Sequence, residues 1–391
     1  MRRDAARALL GVFVLAGCAG ASETEAPRPV PPPLPLGDLL LVGFSGTQVD
    51  GNAELRRLVC DLKVGGLILF ERSVVTGAPL NVVNPEQLAR LTADVQALAR
   101  RCAGRPLLIA ADNEGGRTMR LSPRAGYRAV PSARELGEAN DLARTELEAR
   151  QIGLAMREAG INWNLAPVVD VAVNPENPAV VRPGRTFSAD PERVTAHARA
   201  FIRGMHAAGI LTALKHFPGH GSSRTDSHQG FTDVSDTADL AVELEPYRTL
   251  IQAGQADSVM PAHVFNRQLD PRYPASLSAP TVTGLLRGKL GYQGLVVSDD
   301  LLMGAVANHY GIEAAAVLAL RAGVDVLLVS HNSARKEPRA AERVLDEVRK
   351  ALQDGRLSRE ALAASLGRVE AFRARATAPA PGPAASAQPA P

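Results

Sequence analysis

The stretch Leu214-Lys215-His216-Phe217-Pro218-Gly219-His220-Gly221 carries the strongest prediction of fold and function in the chain. It closes an apolar run, residues 210–214, of the kind that forms a short buried strand. Proline followed by glycine prevents regular structure from continuing beyond Phe217. The lysine and the first histidine are therefore predicted to lie at the mouth of a buried strand.

A loop rich in Gly, Ser and Thr follows this stretch and contains Asp226-Ser227-His228. A carboxylate two residues before a histidine can orient the imidazole and tune its charge. Such a pair is typical of proton transfer in catalysis. The loop is predicted to carry Asp226 and His228 back over the mouth of the strand.

Short apolar runs alternate with amphipathic stretches through the rest of the chain. Eight strand–helix units in strict alternation predict a parallel sheet, and eight is the number that closes a (β/α)8 TIM barrel. A doubly wound open sheet is the alternative, but its Gly-rich phosphate turn is missing after the first strand. A last amphipathic segment, Ser358–Arg373, is expected to pack outside the barrel. The predicted strands are Leu39–Phe44, Gly66–Phe70, Pro106–Ala111, Ile161–Val171, Ile210–His216, Ser258–Val264, Gly294–Ser298 and Val324–Ser330.

The N-terminus is predicted to be a targeting segment. Three arginines precede an apolar run too short to span a bilayer, and the run ends at Cys18 in a pattern that resembles a bacterial lipoprotein cleavage box. Residues 1–17 are thus predicted to be a signal peptide, and 18–36 a lipidated cysteine with a Pro-rich tether. An ordinary signal peptide with an incidental cysteine is the alternative. Residues 37–375 form the predicted catalytic domain, and the Ala/Pro-rich residues 376–391 a disordered tail.

The remaining two cysteines, Cys60 and Cys102, are either free buried thiols or a disulfide. Each falls at the end of one of the first two predicted helices, which are neighbours in this fold. We therefore predict that they are bonded.

Composition argues against a nucleic-acid partner. The formal charge of the 391-residue chain is only +3, and no basic stripe interleaved with aromatic residues is present. No cofactor is implied by any motif.

Polar residues follow several predicted strands, as the active groups of this barrel do. Asp112-Asn113-Glu114-Gly115-Gly116-Arg117 follows the third strand, Arg185 the fourth, His263 the sixth and Ser298-Asp299-Asp300 the seventh. Burying two carboxylates directly after a strand costs free energy unless one of them has a catalytic role or a hydrogen-bond partner.

Lys215–Gly221 with Asp226-Ser227-His228 resembles the signature of glycoside hydrolase family 3, specifically its β-N-acetylglucosaminidases. The run at Asp112 is similar to the family's Asp-Gln-Glu-Gly-Gly-Arg, with Asn113 in place of Gln. The resemblance implies that Asp299 is the nucleophile and His228 the acid/base supported by Asp226. It further implies sugar-binding roles for a set of residues at the strand ends, which are Asp112, Arg185, Lys215, His216 and, in a secondary role, His263.

Alternative functions remain open at this point. A metal-dependent hydrolase would use the histidines between His216 and His263, but Pro218 and Gly219 exclude a helix that would align His216 with His220; no metal is predicted. A non-catalytic wall-binding lipoprotein would not need Asp299 and His228 together. Phosphorolysis, or another family 3 β-glycosidase activity, is not separated from hydrolysis of N-acetylglucosaminides. Glu114 is the rival to His228 as acid/base.

The expected substrate is an N-acetylglucosamine-containing glycan, such as a cell-wall muropeptide. Ala19 after the cysteine suggests, by resemblance to Gram-negative lipoproteins, the periplasmic face of the outer membrane. A monomer is expected.

Overall fold

The computed structural model describes residues 32–333, 337 and 339–378, together with Gly11. The fold begins at Pro35. The predicted lipidation site, Cys18, and residues 379–391 of the predicted tail lie outside the described residues.

Eight parallel strands form the centre of the fold, and each overlaps one of the predicted strands. In sheet order they run β7-β6-β5-β4-β3-β2-β1-β8, so neighbours in the sheet are mostly neighbours in the chain. The strands are β1 (Leu40–Val42), β2 (Gly66–Ile68), β3 (Leu108–Ala111), β4 (Trp163–Asn164), β5 (Leu211–Phe217), β6 (Ser258–Pro261), β7 (Leu295–Val296) and β8 (Leu327–Val329).

The prediction of a closed (β/α)8 barrel is wrong, because the strands form one curled parallel sheet. Among the described residues its end strands, β7 and β8, share no ladder, only an isolated bridge between Val297 and Val326. Side chains take several of the backbone hydrogen bonds that a ladder would use. The N–H groups of Val296, Leu328 and Ser330 donate to the side chains of Asp325, Ser298 and Asp300, respectively.

Helices follow the strands, and specific capping residues determine where the helices begin and end. In α2, Asn84 accepts a hydrogen bond from Gln87 N at the start, Pro85 occupies the first turn, and Gly104 ends the helix at φ 71°. The helices in the described residues are α1 (Ala53–Arg56), α2 (Pro85–Ala103), α3 (Ala133–Ala139), α4 (Leu142–Glu158), α5 (Pro191–Ala207), α6 (Leu240–Glu243), α7 (Glu245–Gln252), α8 (Gly304–Tyr310), α9 (Ile312–Ala322), α10 (Ala340–Gln353) and α11 (Arg359–Ala376). Wider π-type turns occupy Arg57–Asp61 and Pro280–Lys289.

The last helix, α11, lies across the amino ends of the strands, which sequence analysis did not predict. Phe372 packs against Trp163 at the start of β4, with ring centroids 4.9 Å apart, and belongs to the inner core. Three of its arginines pair with aspartates that lie one or two residues before a strand: Arg368 with Asp325, Arg373 with Asp38, and Arg375 with Asp257. The helix thus closes the amino side of the sheet and leaves the carboxyl side for chemistry.

The predicted disulfide is confirmed. Cys60 and Cys102 are bonded, with their Cα atoms 4.8 Å apart, within the range that a disulfide requires. Within the described part of the chain, the helices are all too short or too polar to cross a membrane.

Candidate active site

A cavity of about 440 Å³ opens at the carboxyl ends of the strands. It collects side chains from loops far apart in the sequence. Its polar and charged lining includes Arg72, Asp112, Arg120, Arg185, Lys215, His216, Asp226, His228, Asp299, Asp300, Ser330 and Asn332. Seven of the eight predicted catalytic and binding residues therefore share one cavity.

One wall of the cavity is a compact set of alternating charges. Lys215 Nζ lies 2.8 Å from both Asp112 Oδ1 and Glu114 Oε1. Arg185 holds Glu114 with two hydrogen bonds of 2.8 Å, the bidentate geometry that suits a guanidinium. These contacts fix both cations where they face the cavity.

The charges of this wall are stable across a wide pH range. Burial raises the pKa of Glu114, but the charges of Arg185 and Lys215 outweigh it and hold the pKa at about 2. Lys215 and Arg120 likewise lower the pKa of Asp112 against the effect of burial. Glu114 therefore has no proton to donate near neutral pH, which disfavours it as the acid/base.

Asp170 is a buried anchor that the sequence analysis missed. Its carboxylate accepts hydrogen bonds from His216 Nδ1 at 2.7 Å and from the backbone N–H of His220 at 2.8 Å. His220 in turn contacts Ser223 and Ser227 through its two ring nitrogens, so it braces the loop. The signal for Asp170 was present as a single carboxylate within the apolar run 165–171.

The predicted acid–base pair forms at the rim of the cavity. His228 Nδ1 lies 2.8 Å from Asp226 Oδ1, which also accepts the backbone N–H of His228. The His228 side chain is 58% exposed. Burial lowers its pKa, but the hydrogen bond to Asp226 and the charges of Asp299 and Asp226 raise it overall. The hydrogen bond from His228 lowers the pKa of Asp226 to about 2.

Asp299 and Asp300 have different environments, although they are adjacent. Burial raises the pKa of Asp299, but the nearby histidines 263, 216 and 228 lower it overall, so the carboxylate is ionised. Asp300 accepts hydrogen bonds from Ser330 N and Oγ and from Leu302 N, and burial raises its pKa to about 6. Asp300 therefore fixes the turn, while Asp299 remains as an ionised carboxylate that lines the cavity.

His263 lies behind the cavity wall and does not line it. Its side chain is buried, and its ring nitrogens contact Ser276 Oγ at 2.6 Å and the backbone oxygen of Asp300 at 2.9 Å. The residue assigned to substrate binding is thus placed where it supports the loop after Asp299. In the described residues, no three His, Cys, Asp or Glu side chains are grouped so that they could hold a metal ion.

Comparisons with known proteins agree with this architecture. Residues 35–372 match the family model described as the glycosyl hydrolase family 3 N terminal domain. The chain is 37% identical to a β-hexosaminidase of Idiomarina loihiensis over 322 residues, which are 78% of this chain and 91% of that protein. It is 40% identical to a β-hexosaminidase of Tolumonas auensis over 301 residues, 75% of this chain and 83% of that one.

Solved structures give the same answer. A family 3 β-N-acetylglucosaminidase from Paenibacillus sp. aligns with a TM-score of 0.80 and 36% identity, over 90% of this chain and 64% of that protein. A β-N-acetylhexosaminidase from Beutenbergia cavernae aligns with a TM-score of 0.77 and 30% identity, over 87% of this chain and 97% of that one. The chain belongs to glycosyl hydrolase family 3 and is a glycosidase.

Proposed function

We propose that the protein is a retaining β-N-acetylglucosaminidase. The observation that supports this most is that one cavity holds an ionised Asp299 and a histidine, His228, whose pKa is raised. A retaining mechanism needs one nucleophilic carboxylate and one group that donates and then accepts a proton. The names of the related β-hexosaminidases support the N-acetylglucosaminyl specificity.

In the first step, Asp299 attacks the anomeric carbon and forms an ester bond to it, while the bond from that carbon to the leaving oxygen breaks. His228 gives its Nε2 proton to the leaving oxygen, since Nδ1 is held by Asp226. The raised pKa favours the protonated imidazole, which is the form that can act as an acid.

In the second step, a water molecule replaces Asp299 at the anomeric carbon. Neutral His228 takes a proton from that water, and the ester bond breaks to release the sugar and the carboxylate. Because two displacements occur at one carbon, the product keeps the configuration of the substrate.

The charged wall would bind the sugar that Asp299 attacks. Asp112 offers carboxylate acceptors, and Arg185, Lys215 and His216 offer donors or a ring nitrogen to hydroxyl groups. Because ion pairs within the protein already fix these groups, little conformational entropy is lost when the sugar binds.

The natural substrate and location are also part of the proposal. We infer a peptidoglycan-derived N-acetylglucosaminyl saccharide, cleaved by an enzyme that is lipid-anchored through Cys18 at the periplasmic face of the outer membrane. The basic and apolar N-terminal segment ending in Cys18 supports export.

Product analysis tests the activity. The purified protein is incubated with a β-linked N-acetylglucosamine disaccharide, with and without inorganic phosphate, and the initial anomer is read by NMR. The proposal predicts free β-N-acetylglucosamine in both cases. A sugar 1-phosphate would indicate phosphorolysis, initial release of the α anomer would contradict retention, and no cleavage would contradict the proposed specificity.

A further inference from the structure

A small aromatic cluster lies beside the His228 loop, outside the catalytic cavity. Phe231 is 42% exposed and is the single aromatic member of the large exposed apolar side chains in the described residues. Phe265 supports its ring at a centroid distance of 5.3 Å and His309 at 5.4 Å. We refer to Phe231, Phe265 and His309 as the aromatic ledge.

The ledge is held in place by backbone structure. Thr232–Asp233, directly after Phe231, pairs in parallel with Val264–Phe265. This pairing sets Phe231 beside Phe265 and leaves one part of the Phe231 ring exposed. An exposed aromatic ring that is fixed on two sides loses little entropy when a ligand covers it.

The ledge and the catalytic cavity share a support, helix α8. The first two N–H groups of α8, those of Gly304 and Ala305, lie 3.3 Å from the backbone oxygens of His228 and Ser227. Met303, just before the helix, lines the cavity. His309, which belongs to the ledge, follows Met303 by six residues. At the rise of an α-helix, six residues span about 9 Å along the helix axis.

The side of the cavity on which the ledge lies indicates its ligand. If His228 protonates the leaving oxygen, the leaving group must lie on the His228 side of the cavity. Phe231 is three residues beyond His228 on the same loop, and helix α8 contacts both the backbone of His228 and, through His309, the ring of Phe231. A pyranose ring presents an apolar C–H face, for which a fixed aromatic ring is a suitable partner.

We propose that the aromatic ledge is a subsite for a pyranose ring of the leaving group, beyond the sugar bond that is cleaved. The inference rests on the proposed function, because it uses the role of His228. It makes the enzyme selective for N-acetylglucosaminyl chains of more than one ring.

The experiment compares substrates that differ only in the leaving group. The kcat/KM of the full-length protein is measured for N-acetylglucosaminyl fluoride, whose leaving group has no ring, and for N-acetylglucosamine oligomers of two to four rings. Phe231→Ala should lower kcat/KM for the longest oligomers by roughly three- to tenfold, with less than a twofold effect on the fluoride. Phe231→Trp should restore most of the loss. Leu147→Ala, which removes an exposed apolar side chain from α4, is the matched control. It should leave kcat/KM unchanged for both the fluoride and the oligomers.

The outcomes separate the two proposals. If wild-type protein cleaves the fluoride and the oligomers but Phe231→Ala lowers both equally or neither, the ledge is not a subsite and the activity stands. If wild-type protein cleaves none of these substrates, the proposed function fails and the ledge inference fails with it.

Discussion

The guanidinium of Arg185 binds the carboxylate of Glu114 through two hydrogen bonds of 2.8 Å. The two residues are 71 positions apart and come from the loops after β4 and β3. Together with Lys215 they form a buried charged wall, in which Glu114 stays ionised and orients the cations that line the cavity. We therefore propose that Glu114 is a positioning residue.

We predict that Glu114→Gln lowers the turnover of all substrates to a similar degree. Removing one partner of a buried pair leaves the other uncompensated and costs about 3–5 kcal/mol of stability. Turnover should fall equally for an activated aryl glycoside and for a disaccharide, and azide should not restore it. A larger loss on the disaccharide alone would instead identify Glu114 as a proton donor.

His228→Ala should show the opposite pattern. A nitrophenolate leaves without protonation, so the glycosyl-enzyme should form almost normally from an aryl glycoside. A disaccharide needs the proton, and its cleavage should fall by roughly 10²–10⁴-fold. Azide should partly restore the second step on the aryl substrate, because it attacks without a base.

Asp226→Asn should give a milder form of the pattern expected for His228→Ala, because the imidazole remains but loses its orienting charge. Equal losses on both substrates would contradict the acid/base role of His228.

Site residues could be predicted from the sequence where they directly follow a predicted strand. All eight strand positions and the Asp226–His228 pair could be predicted, because each depends on local pattern or resemblance. The hydrogen-bond partners of the site residues could not be predicted from the sequence. Asp170 meets His216 across 46 positions, and no periodicity encodes such a contact.

For a related reason, the surface that α11 covers was not predicted, and the closure of the sheet into a barrel was predicted incorrectly. An amphipathic pattern shows that a helix has one buried face, but not which surface covers it. Phe372 covers the amino end of β4. Between β7 and β8, bonds to the side chains of Asp325 and Ser298 are interspersed with backbone bonds, and no continuous ladder forms. Both features depend on tertiary packing, which can override the local pattern.

Glu243 should make stability depend on pH. Its side chain is 1% exposed, one oxygen accepts the backbone N–H of Ser222 at 3.1 Å, and burial raises its pKa to about 7. The folded protein therefore holds a proton that the unfolded chain releases above its ordinary pKa of 4.5. Stability from this group is fully present below pH 4.5, falls as the pH rises to about 7, and is constant above that, a total of roughly 3 kcal/mol.

Glu243→Gln removes this dependence and keeps the shape of the side chain. Thermal unfolding at pH 5, 6, 7 and 8 should show a smaller fall in Tm for the variant than for the wild type. Glu138→Gln, which changes an exposed carboxylate, should follow the wild type. Parallel curves for Glu243→Gln and wild type would show that Glu243 is ionised throughout.

Membrane anchoring through Cys18 is tested by Cys18→Ser and cell fractionation. Several acyl chains are needed for stable attachment to a bilayer, and the serine variant cannot receive the thioether-linked lipid. It should move from the membrane fraction to the soluble fraction with its activity intact. If the variant remains as membrane-bound as the wild type, Cys18 is not the anchor.

The covalent bond between Asp299 and the sugar is the step of the proposed mechanism that can be observed most directly. An activated 2-deoxy-2-fluoro glucosyl substrate, in which fluorine replaces the 2-acetamido group of N-acetylglucosamine, slows the release of the intermediate. Peptide mapping of the trapped protein then locates the sugar. We expect one label, on Asp299, and no label in Asp299→Asn. Asp300→Asn should still be labelled, although its turn is weakened by about 1 kcal/mol per lost hydrogen bond. A label on Asp300 or on Glu114 would show that Asp299 is not the nucleophile.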